Sequence, residues 1–544
     1  MTTKGHEAAA AISVDDLRTI SNQIDTEFAQ TFAGVFAQHR TWRKAGDYTT
    51  ALTACDTPIK TCWDLAEKAG HDTPGAFQSL IGENKWDHQE IWNRITTSVP
   101  GLLPCPADDP LGPGIAVDET AQLKRGRHTV ATGVQWAGCL GHKANCVTSV
   151  FLSYVTPQIA TWITHGLFLP KKDWFTGDGA TGQARRSTAG VPEQTVFQTK
   201  PQIARRKFQE LRDLGVRFSW ATGDEVYARY AALRADHEKN GEAYAYFVPK
   251  DFLVPTPTGG RSRADELARH AQGRFEVRTA GAGLNGPQWY DWAMIETGSP
   301  EHALLIRRPW TPAAEGESTT ESGTTSTRDT KTETDNPDGT SFVYCYVPKN
   351  SEIRPTLSNL VLMAGRRWPV EETITTGKGP LGWDHNQYRT WTSVQHHTAL
   401  CGLAMLKANA LRARLEKTHA SSEPDHSETD HRESDARSVE EIPTHQTSSP
   451  QPISDRSLDL PDDLMIPLGD SAIPVRPDQP RPPEIGYIRL TLHEILRLVG
   501  IANAGLSQAR VAFHLRWSRW RRRHQGIARW YRWRARLAVQ TAPP

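Results

Sequence analysis

The chain of 544 residues is poor in the features that mark several large protein classes. No apolar run approaches the ~20 residues that a membrane-spanning helix needs. The opening residues Met-Thr-Thr-Lys-Gly-His-Glu carry no apolar signal-peptide core. Cysteine is scarce, with seven residues at 55, 62, 105, 139, 146, 345 and 401, an odd number without a C-x-x-C pair. That argues against a disulfide framework and makes the cell interior the expected address. His128, Cys139, His142 and Cys146 lack zinc spacing, because six residues separate the two thiols. Gly377-Lys-Gly-Pro-Leu-Gly382 lacks the Gly-Lys-Ser/Thr of a phosphate-binding loop, so no nucleotide cofactor is expected. No G-x-S-x-G elbow offers a serine nucleophile. Acid is missing from one region altogether. From Leu506 to the end there is no Asp or Glu, although the whole chain is balanced at 63 basic and 62 acidic residues.

The net charge of +1 therefore hides a polarised distribution. The C-terminal stretch interleaves Arg with Trp (Leu515-Arg-Trp-Ser-Arg-Trp-Arg-Arg-Arg-His-Gln, then Arg529-Trp-Tyr-Arg-Trp-Arg). Such a segment offers phosphate contacts and planar stacking surfaces. The competing reading is an amphipathic helix docked on the core through Phe513, Trp517 and Trp520 with its arginines outward. An anionic membrane surface is the rival partner. Four regions are expected: a helical N-terminal domain over 13–104 that could grip DNA ends, a core over 105–414, a polar linker over 418–484, and the basic arm over 487–544.

Within the core, short Val-, Thr- and aromatic-rich runs near 115–117, 129–136, 146–155, 166–169 and 216–222 read as strands. A charged helix covers 200–214. This alternation suggests a mixed α/β sheet whose strand ends present acids. A further strand-rich block spans about 243–348 and encloses a Thr/Ser/Glu/Gly tract over 313–341. Helices are expected over 357–378 and 387–414.

Asp118 and Asp224 each follow such a strand, and a third acid, Glu371, lies on a helix. One acid after one strand is ordinarily a turn former or helix cap. The third segment is more specific, because Arg367, Glu371 and Lys378 stand at Arg-x3-Glu-x6-Lys spacing. On a helix this puts Arg367 and Glu371 one turn apart on one face and Lys378 two turns beyond the acid.

In order and spacing these segments resemble the DDE transposases of bacterial insertion sequences, in particular the group with a Tyr-x2-Arg-x3-Glu-x6-Lys signature. The resemblance rests on Ile115-Ala-Val-Asp-Glu-Thr, Gly138-Cys-Leu-Gly-His-Lys-Ala-Asn-Cys146, Trp220-Ala-Thr-Gly-Asp-Glu-Val-Tyr227, the third motif, and Gly382-Trp-Asp-His-Asn-Gln-Tyr-Arg-Thr-Trp391. The signature Tyr position is Ala364 here.

The resemblance implies an RNase H-like catalytic domain with a β-rich insertion between the second and third acids. It implies catalytic and metal-binding roles for Asp118, Asp224 and Glu371 with two Mg²⁺ ions (or Mn²⁺), and phosphate contacts from Arg367 and Lys378. Double-stranded DNA is the implied partner, with Arg516, Arg519, Arg521, Arg522 and Arg523 of the arm as further contacts. A dimer on the DNA and a nucleoid-associated, cytoplasmic location follow from the same resemblance. Two alternatives stay open: a DNA-binding protein of this fold without catalysis, and a metal-dependent nuclease without joining activity. Each motif pairs two acids (Asp118–Glu119, Asp224–Glu225, Glu371–Glu372). Strand alternation predicts that one of each of the first two pairs faces the metals.

Overall fold

The computed structural model describes residues 11–55, 57–176, 180–271, 273–283, 286–310, 339–420, 465–467, 487–503 and 506–541. Most of the expected linker and of the polar tract lies outside the described residues.

Five helices open the chain: α1 (Val14–Phe32), α2 (His39–Ala54), α3 (Cys62–Lys68), α4 (Gly75–Gly82) and α5 (His88–Leu102). α1 starts at a capping box in which the Ser13 hydroxyl accepts from the Asp16 N–H and the Asp16 carboxylate accepts from the Ser13 N–H, each at 3.0 Å. α3 is capped in the same way by Thr61 and Asp64. The inward faces of these helices bury Ile24, Phe28, Tyr48, Leu52, Phe77, Trp92 and Ile95. Their partners are Leu400, Met405 and Leu406 of a long helix late in the chain, α11 (Trp391–Ala420), and Ile163 in the sheet. The Thr96 hydroxyl donates to the Ile163 carbonyl at 2.7 Å. The helical segment thus shares one apolar core with the sheet.

The sheet has ten strands: β1 (Gly114–Leu123), β2 (Gly133–Ala137), β3 (His142–Val155), β4 (Ala160–Phe168), β5 (Trp220–Gly223), β6 (Ala243–Val248), β7 (Glu276–Gly283), β8 (Gly286–Glu296), β9 (His302–Pro309) and β10 (Ser341–Tyr346). Their order is β7-β8-β9-β10-β6-β5-β1-β3-β2, with β4 also paired to β3. β5 runs parallel to both β1 and β6, and every other pair in the sheet is antiparallel. A mixed sheet with helices packed on it is the RNase H-like architecture that the motifs implied. The strand-rich block between the second and third acids does not fold apart from this sheet. β6 leaves one edge open, β10 closes on it with Tyr346 opposite Tyr244, and β9, β8 and β7 follow outward.

The two faces of β1 take different helices. Ala116 faces a core shared with Leu360, Ala364 and Val370 of α9 (Leu357–Gly365) and α10 (Trp368–Lys378). On the other face lies α6 (Lys200–Asp213), followed by the short α7 (Glu225–Ala228) and by α8 (Ala231–Lys239). α6 lies so close to β4 that a Cβ on Gly166 would stand 2.3 Å from Ile203 Cγ2.

The single helix expected over 357–378 is two helices, broken at Arg366–Arg367. Pro369 is responsible, since it has no N–H to give to the carbonyl of Gly365 and its ring would collide there. Two C-terminal helices, α12 (Leu492–Asn503) and α13 (Gln508–Thr541), complete the described chain.

Candidate active site

Parallel pairing of β1 and β5 matches Ile115 with Ala221 and Val117 with Gly223. The next residues along are Asp118 and Asp224, so the register sets the two acids side by side where β5 ends. Asp224 doubles as the N-cap of α7 and accepts from the Val226 N–H at 3.0 Å. Asp118 accepts from the Glu119 N–H at 2.8 Å.

A third carboxylate joins them, and it is not the one expected. Oxygens of Asp118, Glu119 and Asp224 lie within 4.8 Å of one another. Alternation sends the Glu119 side chain to the α6 face, as expected. There Lys200 Nζ donates to its Oε1 and the Tyr227 hydroxyl to its Oε2, both at 2.6 Å. Because β5 stops at Gly223, no strand continues between the two faces at this level, and Glu119 still reaches the cluster. The sequence signal was the Asp-Glu doublet itself, set aside because alternation within an unbroken sheet would separate its members.

Glu371 on α10 stands outside this cluster, joined to it by an arginine. Arg367 Nη2 lies 3.5 Å from Asp118 Oδ2, and its Nη1 lies 3.6 Å from Glu371 Oε1. The Glu371 side chain is 49% exposed, open to a ligand from solvent. Its neighbour Glu372 turns away, toward Arg529 of α13, whose charge it supports against burial. Lys378 closes α10 and is half-buried. α10 is pinned to the sheet at the preceding residue, where a Cβ on Gly377 would stand 2.0 Å from the Trp162 ring. The other end is held by Arg366, whose guanidinium pairs with Asp109 just upstream of β1. Nη1 donates to Asp109 Oδ2 at 2.7 Å, and Nη2 donates to Oδ1.

Burial and mutual repulsion dominate the electrostatics. Desolvation pushes Asp118 up to about 6, with Arg367 opposing and Glu119 and Glu371 adding to the rise. Asp224 is raised well above the ordinary carboxylate range by desolvation and by its neighbours Glu119 and Asp118. Desolvation alone would lower Arg367, but the surrounding carboxylates outweigh it and hold the guanidinium charged. Its Nε is buried and has no hydrogen-bond partner. Arg307 of β9 adds a half-buried cation nearby, stacked 4.6 Å from the Tyr290 ring centroid. Three crowded, partly dehydrated carboxylates form an all-oxygen donor set, which fits a hard divalent cation such as Mg²⁺. No other group of three or more such side chains with metal-binding geometry occurs among the described residues.

Residues 28–280 match the family model described as DDE superfamily endonuclease. The matched stretch is similar to that family over just under half of the chain. The match includes Asp118, Glu119 and Asp224 and ends before Glu371. A search of curated proteins found no match. DDE endonucleases act on DNA, and no helix among the described residues is long and apolar enough to cross a membrane.

The basic arm, which lies outside the matched residues, corrects part of the sequence reading. α13 docks through Val511, Leu515, Ser518 and Arg522, while Phe513, Trp517 and Trp520 are 49%, 46% and 55% exposed. The aromatic face that the competing docking reading would pack on the core is therefore the outward one. Arg522 is 1% exposed, and its Nε and Nη2 donate to the Ile488 carbonyl at 2.9 and 2.6 Å. It cannot contact a phosphate from there. Arg521 Nη2 is likewise engaged, donating to Glu494 Oε1 at 2.8 Å. Arg516 and Arg523 lie on the exposed side and Arg519 is half-buried.

Proposed function

We propose that the chain is the transposase of a bacterial insertion sequence, cutting DNA at the element's ends and joining those ends to a target. The adjacency of Asp118, within β1, and Asp224, just past the end of the parallel β5, carries this reading, because it brings together two acids 106 residues apart. Asp118, Asp224 and Glu371 would hold two Mg²⁺ ions, with Glu119 as a further ligand beside Asp224. Bound there, the ions supply Lewis-acid stabilisation of the attacking and leaving oxygens of an in-line displacement.

The protein's own groups supply the rest. Arg367, held at the level of Asp118, supplies a positive charge to a phosphate oxygen near the cut. Lys378, two turns along the same helix, takes a neighbouring phosphate. Lys200 and Tyr227 fix the Glu119 carboxylate and keep it from swinging away from Asp224. Arg516, Arg523 and the exposed Trp517 and Trp520 contact the duplex from the arm, and two copies act together on paired ends.

Strand-transfer assays on the element's own terminal repeats, with Mg²⁺ or Mn²⁺, test the reading. Joined products are expected from the native chain and none from Asp118→Asn or Asp224→Asn. Cleavage without joining would leave a nuclease. Full activity in both variants would refute the site.

A further inference from the structure

A second polar site lies at the edge of the sheet, away from the carboxylates. A cavity of about 140 Å³ is enclosed by β4, the starts of α5 and α11, and the first half of α6. Around it stand His88, Trp92, His165, Arg206, Lys207 and Gln395, and no acidic residue lines it. Its size corresponds to roughly four or five waters, enough for a tetrahedral oxyanion and too little for a nucleoside.

Two features of the wall call for an anion. His165 is 3% exposed and Trp92 1% exposed, yet His165 Nδ1 and Trp92 Nε1 have no hydrogen-bond partner. An indole N–H can only donate, so an acceptor is what the cavity lacks. The second feature is surplus positive charge. Lys207, 3% exposed, donates to Glu210 Oε2 at 2.7 Å, and Arg206 pairs with Oε1 of the same carboxylate. Two fixed cations thus share one acid. Burial holds His88, His165 and Lys207 below their ordinary values, the state that a neighbouring oxyanion reverses. Val196, 71% exposed, and Arg206 mark the opening to solvent.

We propose that this cavity is a phosphate site, binding free inorganic phosphate or a phosphate ester through Lys207, Arg206, His165 and Trp92. The sheet register sets its place. His165 pairs with Phe151, which pairs with Asp118, so the site lies two strands from the first acid, about 10 Å at ordinary strand spacing. Its chemistry stands apart from the transposase reading, since a chain inert on DNA would still bind phosphate here.

Calorimetric titration of the full chain with inorganic phosphate, and with matched oligonucleotides bearing a 5′-phosphate or a 5′-hydroxyl, tests this. Binding weakened at least tenfold in both Lys207→Met and His165→Phe, at unchanged circular dichroism, supports the site. A response to inorganic phosphate assigns the free ion, and a response confined to the 5′-phosphorylated oligonucleotide assigns the ester. Should Lys207→Met fail to fold, His165→Phe and Trp92→Phe carry the comparison. Asp118→Asn should bind as the native chain does. The proposal is overturned if neither ligand binds, if the cavity variants bind like the native chain, or if Asp118→Asn abolishes binding.

Discussion

Replacing Asp109 by Ala should be among the most damaging single changes outside the carboxylate cluster. The side chains of Arg366 and Asp109 are 7% and 2% exposed, and the pair is bidentate. Removing the acid leaves a buried guanidinium whose other contacts are the Gly112 carbonyl at 3.5 Å and the Trp220 ring at 5.9 Å. Breaking a buried pair from one side costs about 3–5 kcal/mol, a large part of the ~5–15 kcal/mol that holds a typical domain folded. The loss falls at the joint between α9 and α10, one residue from Arg367, so misplacement of Arg367 and Glu371 should accompany it. Removing both charges in Asp109→Ala/Arg366→Met should restore much of the stability, because no uncompensated ion then remains. Urea unfolding of the native chain, both single variants and the double variant closes the cycle. The reasoning fails if Asp109→Ala lies within about 1 kcal/mol of the native chain, a typical single-site effect. It fails equally if the double variant is as unstable as the sum of the two singles.

Asp118→Asn and Asp224→Asn should each lower cleavage by about 10³-fold or more, the effect of losing several kcal/mol of transition-state stabilisation, read from initial rates on a radiolabelled duplex. Glu119→Gln should lower it too, and native-like rates there would remove Glu119 from the ligand set. Chelation of divalent ions should abolish cleavage, and Mg²⁺ or Mn²⁺ should restore it. Acid should destabilise the fold through His396 and His397, which burial holds down to about 4. Their folded values lie below the unfolded value of about 6.5. Their contribution is therefore complete above that pH and is lost as pH falls from 6.5 toward 4, by roughly 3 kcal/mol for each histidine. His397→Gln should flatten this acid limb by about one proton's slope in denaturation midpoints followed against pH.

Much of the site was legible in the linear order of residues. Asp224, which ends an apolar strand, and an Arg-x3-Glu-x6-Lys motif on a helix depend on the local periods of strand and helix. The α6 helix over Lys200–Asp213 was legible for the same reason. Asp118, expected where a strand ends, lies instead within β1, which runs on to Leu123. What the sequence could not determine depends on where elements end and what they meet. Glu119 joins Asp118 and Asp224 because β5 stops at Gly223, a boundary set by the N-cap at Asp224 and not by anything within β1. The strand-rich block extends the main sheet because the open edge of β6 accepts β10, a pairing between residues about 100 positions apart. The arm turns Trp517 and Trp520 outward and buries Arg522 because a carbonyl at Ile488 was there to receive the guanidinium. Long-range contacts of this kind are decided by packing, and composition and periodicity leave them undetermined.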